Sequence, residues 1–207
     1  MELGAIVIAY NYSDEQLYDK IKQYIEDIEI LIIWNNTPSD QNGLDESFWE
    51  NMSCPVAILG TGKNVGIGKA LNESIKFAKD FGCTHVLTMD QDSEWRDFSK
   101  YRHSVELCTD KKTGIYAPTI ADARTAKIFC CNKENRYAIT SGSIIDLEAY
   151  ATVGGFNEDF FIDEVDNEYC VRLSKAGFGI KIIKDSFLFQ EFGNDNIKHS
   201  FTGKAVN

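Results

Sequence analysis

Two groups of acidic side chains in this sequence could do chemistry, and the first is Asp90 and Asp92, which follow the apolar run at residues 86–89. Such a run predicts a buried strand, and residues two apart in an extended chain point to the same side. Two carboxylates on one side of a strand end form a hard-oxygen site for Mg²⁺ or Mn²⁺. The alternative is that Asp90 and Ser93 only form a turn or a helix cap.

The second group lies in the last quarter of the sequence, where five acids fall within ten residues: Asp159, Asp163, Glu164, Asp166 and Glu168. Apolar residues recur at helical spacing from residue 165, so several of these acids would occupy a first helical turn. Asp163 could cap this helix, and acids near its start would suit the helix dipole. Capping needs only one or two acids and the others repel one another, so the surplus indicates a functional carboxylate.

A glycine-rich segment at residues 60–69 leads into a helical pattern that ends at Gly82. It lacks the dinucleotide fingerprint, because residue 65 is valine, and it lacks the P-loop pattern, because Lys and Ala occupy positions 63 and 70. Two interpretations stay open. Backbone amides at the helix start, beside Lys63 and Asn64, could bind a phosphate or a ribose, or the glycines could only make a tight strand-to-helix turn.

The elements that must position these residues alternate between strands and helices. Apolar runs predict strands at residues 3–10, 30–34, 56–59, 86–89 and 114–117, the last ending at Pro118. Helical spacing predicts helices at 14–28, 67–81, 98–108 and 147–153, and further short strands are expected at 126–131, 137–140, 178–183 and 186–189. The alternation in the first half implies a mostly parallel central sheet flanked by helices. Ligands bind such sheets at the carboxyl ends of the strands.

Composition and charge narrow the classes of function. The net charge of −11 argues against nucleic acid as a binding partner, because no stripe of Lys and Arg side chains is present to contact its phosphates. The six cysteines form no C-x-x-C pair and are interpreted as reduced residues of a cytoplasmic protein. No apolar stretch reaches membrane-spanning length, and the first ten residues lack the features of a signal peptide. We expect one domain over residues 1–207.

Six short motifs follow one another along residues 6–193: VIAYN at 7–11, NVGIGKALN at 64–72, DQDS at 90–93, SGS at 141–143, GGFNE at 154–158 and FIDEVDNEYCVR at 161–172. In order and spacing, they resemble those of the family 2 inverting glycosyltransferases with the GT-A fold, and within them the rhamnosyltransferase-like branch. The resemblance implies a Rossmann-like, mostly parallel α/β sheet. A nucleotide-sugar-binding half would span residues 1–118, and a smaller, mixed or antiparallel acceptor half residues 119–207.

The resemblance also implies roles for individual residues. Asp166 matches the catalytic base, with Glu168, Arg172 and Asp163 as its supporting residues. Asp90 would face the ribose and the sugar, and Asp92, together with Asp90, would hold Mg²⁺ or Mn²⁺ on the diphosphate. The residues that would line the nucleotide are Tyr10, Asn11, Trp34, Asn35, Lys63, Asn64 and Asp90.

The sequence departs from the family pattern in two places. Trp34 stands where the family usually has an aspartate that contacts the base, so Trp34 could stack on the base or belong to the core. Gln190 stands where relatives often have a histidine, and His199 could take over as a metal or phosphate contact.

The activity implied is metal-dependent, inverting transfer of a sugar, rhamnose in the favoured branch, in cell-surface polysaccharide synthesis. The donor would be a dTDP- or UDP-sugar, and the acceptor a saccharide or a lipid-linked saccharide. A lipid-linked acceptor would bring this cytoplasmic protein to the inner face of the membrane as a peripheral protein. Two other functions stay open. One is a non-catalytic sugar-nucleotide-binding subunit, which the two departures support, and the other is a metal-dependent phosphohydrolase, which an apolar strand ending in D-x-D-S would suit.

Overall fold

The computed structural model describes residues 1–41, 43–129 and 137–191. Cys130, Cys131 and His199 lie outside the described residues, as does the end of the strand predicted at 126–131.

The amino-terminal part alternates strands and helices as predicted. Its elements are β1 (Leu3–Ala9), α1 (Asp14–Ile21), β2 (Ile30–Asn35), β3 (Val56–Gly60), α2 (Ile67–Phe81) and β4 (His85–Asp90), with 3₁₀ turns at Ile25–Asp27 and Glu46–Trp49. A capping box between Ser13 and Gln16 starts α1. Gly82, in the left-handed conformation, ends α2.

The carboxy-terminal part has shorter and more varied elements. They are β5 (Glu94–Trp95), α3 (Phe98–Glu106), β6 (Thr113–Asp122), β7 (Ile128–Phe129), β8 (Ser143–Asp146), α4 (Leu147–Val153), α5 (Val165–Lys175) and β9 (Gly179–Gln190). None of the helices between residues 1 and 191, where the structure describes the chain, is long and apolar enough to cross a bilayer.

All the strands that the structure describes join one sheet in the order β3-β2-β1-β4-β8-β6-β9-β5, with β7 paired to β6. The strands β1 to β4 pair in parallel, and β6 pairs in parallel with β9. β8 lies antiparallel between β4 and β6, so β6 and β9 run in the same direction as β4. The mostly parallel sheet and the mixed second half are therefore confirmed.

The sheet has an apolar core on each face. On one face, α1 and α3 pack Leu17 and Tyr101 into a cluster with β1 and β4. On the other face, α2, α4 and α5 contribute Leu71, Ala149 and Leu173. This arrangement fixes the strand ends, because both faces of the central strands are covered.

Four predicted elements or boundaries were wrong, and the irregular pairing of β6 with β9 explains the first two. β6 continues through Pro118 to Asp122, because the ladder with β9 has a register shift next to this proline, and such irregularities tolerate the missing N–H. β9 is one strand and not two, since the same irregularity absorbs residues 184–186. The first helix stops at Ile21, followed by a 3₁₀ turn, and residues 137–139 form no strand.

Candidate active site

The candidate site lies along the edge of the sheet that is formed by the carboxyl ends of six parallel strands. β1 is followed by Tyr10 and Asn11, β2 ends at Asn35, β4 ends at Asp90, and β9 ends at Gln190. Because these strands run in the same direction, their carboxyl ends bring together residues that are far apart in the sequence. Tyr10 and Asn11 are exposed and Asn35 is partly exposed, so all three can contact a ligand at this edge.

Asp90 is held by hydrogen bonds from the end of β9 and from the turn before β8. Nε2 of Gln190 donates to Oδ2 of Asp90 at 2.9 Å, and the backbone N–H of Asp90 donates to Oγ of Ser141 at 3.2 Å. Ser141 is itself buried and shares a 2.8 Å hydrogen bond with Ser93. The SGS and DQDS motifs therefore meet in space and fix the turn that follows β4.

Both carboxylates of this turn hold their protons more tightly than an ordinary aspartate. Burial, and then the negative charge of Asp92, raise the pKa of Asp90 to about 6, although the hydrogen bond from Gln190 opposes the shift. The negative charge of Asp166 adds to this rise in the pKa of Asp90. Burial is also the main cause of the raised pKa of Asp92. A cation placed here would relieve the repulsion between the acids.

Buried polar residues that the sequence analysis did not single out tie the strand ends together. Asn36 accepts a hydrogen bond from the Val65 N–H at 2.9 Å, and Thr37 accepts one from the Asn11 N–H at 2.9 Å. Asn36 and Thr37 are only 3% and 5% exposed, so their side chains hold neighbouring loops together and do not form a binding surface. A signal was present in the sequence, since a polar N-N-T-P turn directly follows an apolar strand.

The glycine-rich segment makes room for another part of the chain. A Cβ on Gly66 would lie 2.7 Å from the backbone oxygen of Phe161, and one on Gly68 would lie 2.9 Å from that of Asn157. The Ile67 N–H donates to the Phe161 oxygen at 2.8 Å, and the Gly66 N–H donates to Oδ1 of Asn64 at 3.0 Å. These amides are already bonded within the protein, which disfavours the phosphate interpretation and favours a role in packing.

The remaining residues predicted to line the nucleotide divide into exposed and buried ones. Lys63 and Asn64 are exposed in the loop after β3. Trp34 is only 4% exposed and, by strand alternation, lies on the same face as the core residue Ile32. Its Nε1 donates to Oδ1 of Asn36 at 3.4 Å. Of the two alternatives for Trp34, stacking on the base or a place in the core, the burial of its ring favours the core.

Asp166 stands in the first turn of α5 and faces the same edge of the sheet. Burial is the main cause of its raised pKa, and the charges of Glu164 and Asp163 raise it further. A cavity of about 10 Å³, lined largely by apolar side chains such as Ile115, Ile145 and Phe156, adjoins Asp166. This is about the volume that one water molecule needs. A carboxyl of raised pKa is a better proton acceptor than an ordinary aspartate once it is ionised.

Glu168 and Arg172 support the loop before α5 and do not touch Asp166. Arg172 binds both oxygens of Glu168, with Nε to Oε1 at 2.5 Å and Nη2 to Oε2 at 2.8 Å. It also donates to the backbone oxygens of Val153 and Gly155, at 3.1 and 2.7 Å. The pair therefore caps the end of α4 and fixes its distance from α5. Asp163, by contrast, is exposed in the loop.

Asn72 joins α2 to the segment between α4 and α5, and the sequence analysis gave it no role. Its Oδ1 accepts hydrogen bonds from the Tyr150 hydroxyl at 2.7 Å and the Phe156 N–H at 2.8 Å. Its Nδ2 donates to the Phe156 oxygen at 2.9 Å and to Glu158 at 3.0 Å. The sequence did carry a signal for its importance, since Asn72 belongs to the NVGIGKALN motif.

The residues around Asp90 and Asp92 fit a divalent cation. The carboxylate oxygens are hard donors, and Oε1 of Gln190 is buried without a hydrogen-bond partner. Within residues 1–41, 43–129 and 137–191, no cluster of three or more His, Cys, Asp or Glu side chains could hold a metal ion. Mg²⁺ commonly uses only one or two carboxylates and completes its shell with substrate phosphates and water.

A search against family models found no match. In sequence, the chain is similar to a dTDP-rhamnosyl transferase, RfbF of Shigella flexneri, with 26% identity over 167 residues, which is 69% of this chain. The chain spans about half the length of this curated relative, since the match covers 54% of it.

Among solved structures, the chain is similar to GalNAc-T7 with UDP, GalNAc and Mn²⁺, at a TM-score of 0.70 and 9% identity, over 92% of this chain and 44% of that one. It is also similar to the mannosyltransferase PcManGT of Pyrobaculum calidifontis in complex with GDP-Man and Mn²⁺. There the TM-score is 0.67 and the identity 13%, over 94% of this chain and 58% of that one. At these identities the likeness shows the fold alone. The chain has the GT-A fold of glycosyltransferases, and its motifs and its curated relative agree in their resemblance to the rhamnosyltransferase-like branch of family 2.

Proposed function

We propose that the protein is an inverting glycosyltransferase that uses a dTDP- or UDP-sugar, rhamnose being the favoured sugar. Its acceptor would be a hydroxyl of a saccharide or a lipid-linked saccharide in cell-surface polysaccharide synthesis. The main support is the position of Asp166 in the first turn of α5, where it lines a cavity together with Thr140. The next residue, Ser141, bonds the backbone N–H of Asp90 at the end of β4. A base and, apart from it, carboxylates that hold a metal are the two parts that such a transfer needs.

In this proposal Asp166 accepts the proton of the acceptor hydroxyl as the oxygen attacks the anomeric carbon. Its raised pKa, caused mainly by burial, suits a general base. The attack comes from the face opposite to the departing diphosphate, so the configuration at the anomeric carbon inverts. Glu168 and Arg172 keep the start of α5 in place, because their ion pair also grips the end of α4.

Asp92 and Asp90 would hold Mg²⁺ or Mn²⁺ beside the donor's diphosphate. When bound, the ion supplies positive charge for the leaving diphosphate, a Lewis-acid role. The exposed residues around the strand ends would contact the rest of the nucleotide: Tyr10, Asn11, Asn35, Lys63 and Asn64. Trp34 is excluded from this set because it is buried.

A thermal-stability screen tests the donor site. UDP-, dTDP- and GDP-sugars are added to the protein with and without Mn²⁺ or Mg²⁺. A ligand at about 100 times its dissociation constant stabilises the folded state by roughly 2.7 kcal/mol. We expect a metal-dependent rise in melting temperature with one donor, and its loss in Asp92→Asn. Glu73→Gln, an exposed acid on α2, is the matched control and should respond like the wild type.

Turnover separates transfer from binding alone. A metal-dependent shift together with sugar transfer supports the proposal. A shift without transfer to any acceptor would favour a non-catalytic sugar-nucleotide-binding subunit. No shift with any donor would contradict the proposed donor site, and release of phosphate from a phosphomonoester would favour the phosphohydrolase alternative.

A further inference from the structure

Gln91 lies between the two carboxylates of the DQDS motif, and its side chain reaches back to β1. Its Oε1 accepts a hydrogen bond from the Tyr10 N–H at 2.6 Å, and its Nε2 donates one to the Tyr10 oxygen at 3.2 Å. A primary amide has the same donor and acceptor groups as a peptide bond. The side chain therefore takes the place of a strand residue opposite Tyr10.

This contact begins where the backbone pairing stops. The last pair of the β1–β4 ladder is Ile8 with Asp90, and the last pair of the β1–β2 ladder is Ala9 with Asn35. Beyond these pairs the strands carry no ladder hydrogen bonds that would keep Tyr10 at a fixed distance from the turn at Asp92. Gln91 supplies that connection through its side chain.

The residues on both sides of Tyr10 are held by the turn after β2. The Asn36 N–H donates to the Ala9 oxygen at 2.8 Å, and the Asn11 N–H donates to Oγ1 of Thr37 at 2.9 Å. Residues 9–11 are thus bonded alternately to the turn after β2 and to Gln91. Asn11 has a φ of 54°, in the left-handed region that asparagine adopts more readily than most residues other than glycine, and the bond to Thr37 holds its N–H in this conformation.

We propose that Gln91 is a positioning residue that sets the distance between the nucleoside-binding residues at Tyr10 and Asn11 and the carboxylates that hold the metal on the diphosphate. The inference rests on the proposed function, since it assigns those two parts to one donor. A ligand that spans both parts needs Gln91, whereas a ligand that occupies only the nucleoside side does not.

The experiment uses Gln91→Met, which keeps the length of the side chain and removes both hydrogen bonds. It compares nucleotides that span both parts of the site with nucleotides that occupy only the nucleoside side. Dissociation constants are measured by calorimetry for UDP and dTDP with Mn²⁺, and for UMP and dTMP. We expect the affinity for the diphosphate to fall by about tenfold or more, and that for the monophosphate of the same base to change by less than about twofold. The matched control is Gln23→Met, which removes one side-chain hydrogen bond to the Trp95 N–H and should leave both affinities unchanged.

The unliganded melting temperature separates positioning from a general loss of stability. Tyr10 is exposed, so water can replace the lost partners and Gln91→Met should melt close to Gln23→Met. Gln91→Asn, whose amide is one carbon too short to reach Tyr10, gives a second variant with the same expected binding pattern. Equal losses for diphosphate and monophosphate, or no loss for either, would overturn the inference. A wild-type protein that binds none of the four nucleotides would instead overturn the proposed function itself.

Discussion

Asp90 and Asp166 face the same edge of the sheet, but the hydrogen bonds around them differ. The turn at Asp90 is held by side chains from three directions: Gln190, Ser141 and, through Gln91, the backbone of Tyr10. The carboxylate of Asp166 accepts hydrogen bonds from the backbone N–H of Asn167 and from its own backbone N–H. The segment before it is held through its own backbone atoms, which bond to the Ile67 N–H and to the side chains of Asn72 and Arg172.

This difference suits two kinds of work. A carboxylate that holds a metal on a diphosphate must keep a fixed distance from the nucleoside, and many side-chain bonds provide that. A base must exchange its proton with an incoming hydroxyl, so a carboxylate with few fixed partners is better suited. Glu164, two residues before Asp166 and directly before α5, adopts a φ of 67° although it is not glycine. Such strain persists where the surrounding contacts impose it.

The largest expected effect separates chemistry from binding. Asp166→Asn should lower kcat by about 10²–10⁴, because the amide cannot accept the proton, and should leave the dissociation constant of the donor nearly unchanged. Single-turnover transfer and calorimetry with the donor measure the two quantities. Asp159→Asn, an exposed acid of the same segment, is the control and should retain activity. An equal loss of donor binding in Asp166→Asn would assign this residue to the same task as Asp90.

The second prediction concerns the contact between α2 and the segment before α5. Asn72→Ala should lower the free energy of unfolding by about 2–4 kcal/mol, because it leaves the Tyr150 hydroxyl and the Phe156 amide without their partner. Urea denaturation measures this change. Asn157→Ala, which removes a single hydrogen bond to the Asp159 N–H, should cost less than half as much. Similar losses in both variants would mean that Asn72 is not the main link.

The third prediction tests whether the glycine-rich segment is shaped to pack against the backbone of Phe161, in the segment before α5. Gly66→Ala places a methyl group 2.7 Å from the Phe161 oxygen, at a φ of 81°. Gly82→Ala imposes a similar backbone strain at a φ of 107°, but nothing lies within 4 Å of the added methyl group. Gly66→Ala should therefore be less stable than Gly82→Ala by about 1–3 kcal/mol. It should also raise the KM for the acceptor more than that for the donor. Equal stability in the two variants would contradict the interpretation that Gly66 makes room for the backbone of Phe161.

The smallest effect concerns pH. In the proposed mechanism Asp166 accepts a proton only when it is ionised, so kcat/KM should fall as the pH drops through its pKa. Burial raises that pKa, and the acid limb should therefore lie above the value of about 3.9 for an exposed aspartate. Glu164→Gln removes a neighbouring negative charge and should move the limb to lower pH by less than about 1 unit. A limb that moves to higher pH would contradict the assignment of this titration to Asp166.

Sequence patterns predicted the features that depend on local periodicity. The apolar run before Asp90 predicted that this residue ends a strand, which is confirmed. The spacing of apolar residues after residue 165 predicted that acids occupy a first helical turn, which is also confirmed. The strand alternation that makes the sheet mostly parallel is also local, because each strand is a short β-branched run between turn residues.

Contacts between distant residues could not be predicted in this way. The partners of Asn72 lie 78 and 84 residues away, and the atom that explains Gly66 belongs to Phe161. Trp34 carried no sign of whether it would be buried, since an aromatic residue at a strand end suits both a ligand and a core. Pro118 normally ends a strand, but the irregular pairing with β9 that accommodates it arises only in the assembled sheet.

The hydrogen bond between Gln190 and Asp90 spans 100 residues of sequence. At a synthesis rate of about 5–20 residues per second, the ribosome needs roughly 5–20 s to travel from one to the other. A growing chain thus exposes the acidic turn, with the first strands already able to pair, well before β9 inserts beside β6. Nucleotide binding by ribosome-bound chains of increasing length would consequently report the moment at which β9 completes the sheet.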